Sequence, residues 1–428
     1  MTIKDQRNHL MQLFKAAVGA ADPLKCVPPA LPEPPTDGRL VVLGAGKGSA
    51  AMVQAAEEHY LSLNPPPDMT GCAVTRHGFA SPTKIIEMME GGHPVPDEGS
   101  VAAATRALEM AGGATEKDLV LVLMSGGASA LWTAPVDGVT LEEKQQMTRG
   151  LLASGARISE INCVRKHLSR IKGGRLALRA APAQLVTLAI SDVPGDDPSA
   201  IGSGPTVGDP TTLEDARTIL SERKVDVPPS VAAALADERN ETPPPDDPSF
   251  TNSEYTLVSR PADSLSAAAK VARSLGYQVR ILGDSIEGEA RDVARDHARM
   301  ALGCKAEGKP IALLSGGEVT VTVTGSGKGG PNQEYALSLA DALEGAEAIS
   351  ALAADTDGTD GGEGSADDPA GAIIDPTTRR RAEKNGLTPA KFLQDNNSTG
   401  FFDILGDLVV TGPTKTNVND FRAILIES

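Results

Sequence analysis

The chain is short of several residue classes, and each shortage removes a class of function. No run of about 18 apolar residues occurs, so nothing reads as a membrane-spanning helix. The four cysteines, Cys26, Cys72, Cys163 and Cys304, are scattered, without paired metal-ligand spacing and too sparse for a disulfide framework. Four Tyr, seven Phe and one Trp leave little for stacking on bases, and a formal charge of −17 opposes binding to a polyanion. Residues 1–15 carry both charge signs and lack the n-region and h-region of a secretory signal. These absences predict a cytoplasmic protein with reduced thiols and with neither nucleic acid nor membrane as a partner.

Against that background, three aliphatic runs each end in a glycine-rich turn bearing Lys or Ser. Residues 40–43 lead into Gly44-Ala45-Gly46-Lys47-Gly48-Ser49, residues 119–124 into Ser125-Gly126-Gly127-Ala128-Ser129, and residues 311–314 into Ser315-Gly316-Gly317-Glu318. Short apolar runs of this kind read as buried parallel strands. Glycine just past the strand end lets backbone N–H groups approach an anion, and that edge is where open α/β sheets hold ligands. An acidic protein that takes an anion must concentrate positive charge locally. Arg165, Lys166, His167, Arg170, Lys172 and Arg175 do so, with no acid between them.

The N-terminal half alternates strand-like runs (40–43, 71–75, 84–88, 119–124, 185–190) with helical patterns (49–61, 99–110, 141–153, 158–179, 212–224), as a doubly wound sheet does. Two glycines at 173 and 174 cost a helix about 2 kcal/mol relative to Ala, so they signal close packing or a break aimed at a ligand. Residues 227–250, with Pro243-Pro244-Pro245, read as a linker or surface loop. A second α/β series starts at strand 255–258 and continues through 261–275, 278–282, 287–302 and 311–314. Alternation at 319–323 marks a half-exposed strand, so the second sheet is expected to be mixed. The expected domains are 1–240 and 250–428.

Familiar motifs fail in detail. The turn at 44–49 has Ser49 in place of the third glycine of a dinucleotide fingerprint, and Lys47 and Lys328 lack Walker A spacing. The segment from Asp355 to Gly362 breaks the calcium-loop pattern at Thr359. It nonetheless places acids after a strand, as the Asp192-Val193-Pro194-Gly195-Asp196-Asp197 loop does in the first half. Two such loops suit Mg²⁺, which takes one or two protein carboxylates with phosphate and water. His93, between glycines and prolines, reads as a hydrogen-bonding strut.

Taken in order, the motifs resemble those of the class II glycerate kinases with a MOFRL-type C-terminal domain. Gly44-Ala45-Gly46-Lys47, Gly91-Gly92-His93-Pro94-Val95-Pro96-Asp97, Ser125–Leu131, Asn162–Ala177 and Ser191–Asp197 carry the resemblance in the first half. Ser315-Gly316-Gly317-Glu318, Gly329–Glu334, Thr356–Gly361 and Thr411–Asp420 carry it in the second. The resemblance implies an α/β protein of two α/β domains: an N-terminal Rossmann-like three-layer sandwich and a smaller mixed-sheet MOFRL-type domain, with the active site in the cleft between them. It further implies ATP-dependent phosphorylation of D-glycerate, at the 2-hydroxyl. Lys47 matches the family's active-site lysine and Asp192 its aspartate. Many relatives carry Arg where this chain has Pro331, so that contact is not carried over; Lys328 or the Arg165 segment is left to supply the charge.

Phosphoryl transfer asks for positioning and positive charge, which gives each candidate a role. Lys47 stabilises phosphate, the N–H groups of Gly126 and Gly127 form a cradle, and Arg165 clamps the substrate carboxylate. Asp192 is a general base or a Mg²⁺ ligand, with Asp357 and Asp360 as second-choice metal ligands. Ser125, Ser129, Asn162, Lys172, Gly316, Gly317, Lys328 and Asn332 complete the substrate- and phosphate-binding candidates. The alternatives are an NAD(P)H-dependent reductase of hydroxypyruvate or tartronate semialdehyde, and a non-catalytic anion-binding relative.

Overall fold

The computed structural model describes residues 2–362 and 367–427. They form two compact units, one of Pro23–Val258 and one of Met1–Asp22 with Ser259–Ser428. In the first, Leu40–Ala45 (β1), Met69–Arg76 (β2), Glu87–Gly91 (β3), Leu119–Met124 (β4), Gln184–Ile190 (β5) and Ser253–Ser259 (β6) make one sheet in the order β3-β2-β1-β4-β5-β6. β1 and β4 are buried at every position, as strands covered on both faces must be. Pairing is parallel from β3 to β5, with Leu40 opposite both Met69 and Leu119.

Alternation along β1 divides the two faces. Val41, Leu43 and Ala45 pack with Ala103, Ala104, Ala107 and Ala111 of helix Glu98–Gly112. On the other face, a Cβ at Gly44 would lie 2.9 Å from Val53 Cγ2, so the missing side chain lets helix Ser49–Leu61 settle close. Helix, sheet and helix make the three layers of a Rossmann-like unit. Helices Leu141–Ala153, Ile158–His167, Leu213–Glu222 and Pro229–Ala236 add a separate core built on Met147, Leu151, Ile161, Val164, Leu220 and Val231.

The second unit has strands Gln278–Gly283 (β7), Gly288–Glu289 (β8), Ile311–Ser315 (β9), Val319–Thr320 (β10), Ile349–Asp355 (β11), Gly371–Ile374 (β12), Leu408–Val409 (β13) and Asp420–Ile426 (β14). Its main sheet runs β13-β12-β11-β14-β9-β7. β7 and β9 are parallel and the other pairs antiparallel, so the sheet is mixed, as expected. Ile424 and Ile426 face helices Ala290–Lys305 and Pro331–Leu343, while Phe421, Ala423 and Leu425 face helices Ile3–Ala20 and Pro261–Ser274. Among the described residues no helix is long and apolar enough to cross a membrane.

Several expected boundaries differ, each for a packing reason. Helix Ile3–Ala20 belongs to the second unit, where Leu10, Leu13, Phe14 and Ala17 join the core of Leu265, Ala268 and Phe421. Strand 255–258, expected to open the second series, is β6 and edges the first sheet. Residues 227–250 are not a linker: they contain helix Pro229–Ala236 and then pass over the two glycines that interrupt the expected helix 158–179. Gly173 and Gly174 have φ of +58° and +80°, and Cβ atoms there would lie 2.7 Å from Thr242 Cγ2 and Phe250 Cζ. The helix therefore stops at His167 and restarts at Arg175. Residues 319–323 keep only the two-residue β10, paired with β8.

Arg7 ties the N-terminal helix to its unit. Its guanidinium donates to Asp375 at 2.7 Å and Asp407 at 2.8 Å, carboxylates whose side chains are 2% exposed. Arg381 also serves Asp407, at 2.6 Å, so an Arg7→Ala change leaves part of the charge compensated. We expect a loss of roughly 2 kcal/mol, below the 3–5 of a fully broken buried pair, read as an earlier unfolding transition of this unit in urea.

Candidate active site

β1 and β4 are adjacent strands whose connections depart to opposite sides of the sheet, β2 and β3 one way and β5 and β6 the other. Ligands of open α/β sheets sit outside the strand ends at such a switch point. The two glycine turns meet there and lock together. Lys47 N–H donates to Gly126 O at 2.8 Å, Gly48 N–H to Ser125 Oγ at 2.8 Å, and Ser125 N–H to Ala45 O at 3.1 Å. Gly46 has φ +130° and lies so close that a Cβ would collide with Ser125. Gly127, at φ +85°, is the next contact: a Cβ there would lie 2.9 Å from His93 Cδ2 and 3.3 Å from Lys47 Cγ. The missing side chain lets the imidazole and the lysine stem close on the turn.

A cavity of ≈ 410 Å³ beside β6 holds none of the expected residues, whereas one of ≈ 370 Å³ opens at Gly127. Its wall includes His93, Ser129, Lys144, Arg149, Arg165 and Lys172, and no lining residue is an acid. Lys172 is almost fully buried and donates to Ser129 O at 2.7 Å and Trp132 O at 2.9 Å. Burial, with Lys144 and Arg165 nearby, holds its ammonium well below the ordinary lysine range. Lys144 donates to Leu168 O at 2.7 Å and Arg165 O at 3.2 Å; burial, then Arg165 and Arg175, push it down to about 7. Burial also lowers Arg165, and among the described residues its guanidinium has no carboxylate partner. Ser129 Oγ lies 2.7 Å from Ser203 Oγ, which donates to Asn162 Oδ1 at 3.4 Å.

The basic run therefore sorts into three groups. Arg165 and Lys172 line the cavity. Lys166 is buried on Asp209 at 3.1 Å, the buried His167 ring lies between Cys163 O and Glu241, and Arg175 donates to Ser169 O. Arg170 is exposed beyond the end of the helix, and its Nε donates to Pro135 O at 2.9 Å. Asp192 leaves the end of β5 at the same sheet edge as the two turns but is not part of the cavity wall. It stands near Tyr255 of β6, whose hydroxyl pKa is raised by burial and then by Asp197, Asp192 and Asp196.

In the second unit the expected residues are largely committed to structure. Gly316 N–H donates to Gly283 O at 2.8 Å, and Gly317 O accepts from Asp420 N–H at 3.1 Å. Lys328 pairs with Asp368 at 3.3 Å. Asp360 caps helix Pro331–Leu343: one oxygen accepts from Asn332 N–H and Nδ2, the other from Gln333 N–H and Nε2, all within 3.2 Å. Asn332 Nδ2 also reaches Asp420 Oδ1 at 2.6 Å. Asp357 Oδ1 accepts from the Thr359 N–H and hydroxyl. Among the described residues no three His, Cys, Asp or Glu side chains converge as a metal site; Asp360 caps a helix and Asp357 holds the turn at Thr359.

Lys144 and His93 are cavity residues that the sequence reading passed over as binding groups. A signal existed for Lys144: it shares the buried stripe of its helix with Met147 and Leu151, a position where lysine is costly. His93 gave only its proline-rich setting.

Residues 9–236 match a domain of unknown function (DUF4147), and residues 311–420 match the MOFRL family. A protein of Agrobacterium vitis named "Putative hydroxypyruvate reductase" is 49% identical over 98% of this chain and 94% of its own. The D-glycerate 2-kinase of Thermotoga maritima is 39% identical over 97% of both chains. A crystal structure of glycerate kinase from Thermotoga maritima superposes with a TM-score of 0.87 at 38% identity, covering 99% of this chain and 100% of that one.

Because Ser125 Oγ is the buried acceptor for Gly48 N–H, Ser125→Ala leaves that donor unpaired. We expect a cost of about 1–3 kcal/mol in the denaturation of the first unit.

Proposed function

The chain belongs to the MOFRL family of glycerate kinases, and from that premise we propose that it transfers the γ-phosphoryl group of ATP to the 2-hydroxyl of D-glycerate. The carboxylate-free cavity beside Lys47 is the observation that carries this reading. A small hydroxy acid brings one negative charge, and Arg165, with no acid paired to its guanidinium among the described residues, suits its carboxylate. Lys172 fixes the Ser129 carbonyl, and the Ser129–Ser203–Asn162 chain offers hydroxyls to the remaining substrate oxygens.

Lys47, its stem against Gly127, neutralises charge on the phosphoryl group as it moves, and the turn at Gly126 and Gly127 faces the same group. Asp192 lies outside the cavity wall, so for it to accept the proton of the 2-hydroxyl that hydroxyl must project from the cavity toward the end of β5. Mg²⁺ is best held by the nucleotide's own phosphates with one protein carboxylate, for which Asp192 is the alternative use; bound there it would offset phosphate charge. Gly316, Gly317, Lys328 and Asn332 stay candidates for phosphate contact only through atoms not already bonded within their unit. Buried, unbridged Cys72, Cys163 and Cys304 fit a cytoplasmic setting.

The relative named for hydroxypyruvate reduction motivates a second reading, and the first glycine turn weighs against it. A pyrophosphate needs free N–H donors at that turn. Here Gly46 N–H donates to Val74 O, Lys47 N–H to Gly126 O, Gly48 N–H to Ser125 Oγ, and Ser49 N–H to Gly46 O. All four are taken.

The test is direct. D-glycerate with ATP should give ADP and 2-phosphoglycerate, identified by phosphorus NMR, while hydroxypyruvate should not drive NADH oxidation. The reverse pattern removes the kinase reading. Lys47→Ala should lower kcat by about 10²–10³-fold while leaving the fold intact by circular dichroism. Near-normal turnover in that variant removes Lys47 from the reaction.

A further inference from the structure

Within the cavity, Lys144, like Lys172, has a bonding arrangement suited to two charge states, and it is the one set on the outer helical wall. Lys144 reaches the wall from helix Leu141–Ala153, where it is buried along with Met147 and Leu151. Its nitrogen meets two carbonyl oxygens, Leu168 O and Arg165 O, and no carboxylate. A neutral amine has two N–H donors, and those two carbonyls satisfy both. An ammonium has three, so protonation leaves one donor over, and the wall it faces is lined by no acid.

We propose that Lys144 is a substrate-sensing cation for the hydroxy-acid carboxylate: neutral and satisfied by two carbonyls in the empty cavity, charged and giving its third donor when the anion binds. This rests on the cavity being the glycerate site. The groups that set its charge come from every neighbouring element. Arg165 of helix Ile158–His167, Arg175 of helix Arg175–Ala180 and Lys172 between them all oppose a further positive charge. Arg149 of its own helix and His93 line the same wall. An entering anion reverses the balance, because it adds the one negative charge that the wall lacks. The free lysine, pushed down to about 7, then takes up a proton from solvent as the substrate seats. A dicarboxylate or a phosphorylated acid would charge it more fully than a neutral polyol, so Lys144 selects for anionic substrates.

The test is calorimetric titration of the intact protein with D-glycerate in two buffers of different ionisation enthalpy, repeated from pH 6 to pH 8.5. We expect proton uptake close to zero at the acid end and approaching roughly one per glycerate at the alkaline end. The KM for glycerate should accordingly rise by up to about tenfold per pH unit above about pH 7 with kcat little changed. Lys144→Met, of similar length, should abolish the uptake and flatten that profile while raising KM about tenfold at pH 7. Uptake retained in Lys144→Met, or absent from the active wild type, overturns the assignment. If the variant does not fold, Lys144→Gln and the wild-type titration decide it by the same criteria. Absence of ADP formation by the wild type would instead remove the kinase reading itself, and is scored separately.

Discussion

The site depends on one interlock: the turn after β1 and the turn after β4 use each other as hydrogen-bond partners. Backbone N–H groups that in a dinucleotide-binding turn would wait for a ligand are spent on Gly126 O and Ser125 Oγ. The chain thereby gives up an anion cradle at the first turn and gains a rigid platform. Lys47 leaves that platform in a fixed direction, with its stem against a glycine that tolerates it. On the proposed kinase reading, the Lys47 side chain, rather than the backbone of the first turn, is the element that would meet phosphate.

That choice shifts the electrostatic burden to the cavity wall. In a protein of formal charge −17, a wall with no acid is an exception made by position. Its lysines are held by main-chain carbonyls, which satisfy donors without adding negative charge. Lys172 on Ser129 O and Trp132 O, and Lys144 on Leu168 O and Arg165 O, follow the same rule. By contrast Lys166, one residue from Arg165, meets Asp209 and is lost to the site. Proximity in sequence did not decide which cations work; their partners did.

Much of this was legible in the chain. The fully apolar runs of β1 and β4 and their glycine exits marked both strands and the site edge, because burial on two faces leaves an unbroken pattern. Arg165 and Lys172 stood out by charge density. Less legible were features fixed by distant segments. β6 has an alternating, half-exposed pattern that suits an edge strand of either sheet, and only pairing assigns it to the first. The reason for Gly173 and Gly174 lies in Thr242 and Phe250, some seventy residues on. The cap that Asp360 gives the helix beginning at Pro331 was equally hidden, because it involves residues that precede Asp360 in sequence.

The membership of helix Ile3–Ala20 has a consequence for synthesis. The ribosome makes this helix before any segment that covers it: its apolar stripe of Leu10, Leu13, Phe14 and Ala17 packs against residues from 265 onward, including Phe421 and Leu425. The unit Pro23–Val258 has its own core and can close while the remainder is still being translated. The helix must therefore wait, while several hundred residues are added, with its greasy side uncovered. A chaperone that shields a short amphipathic segment on the nascent chain would meet its greatest need in that interval.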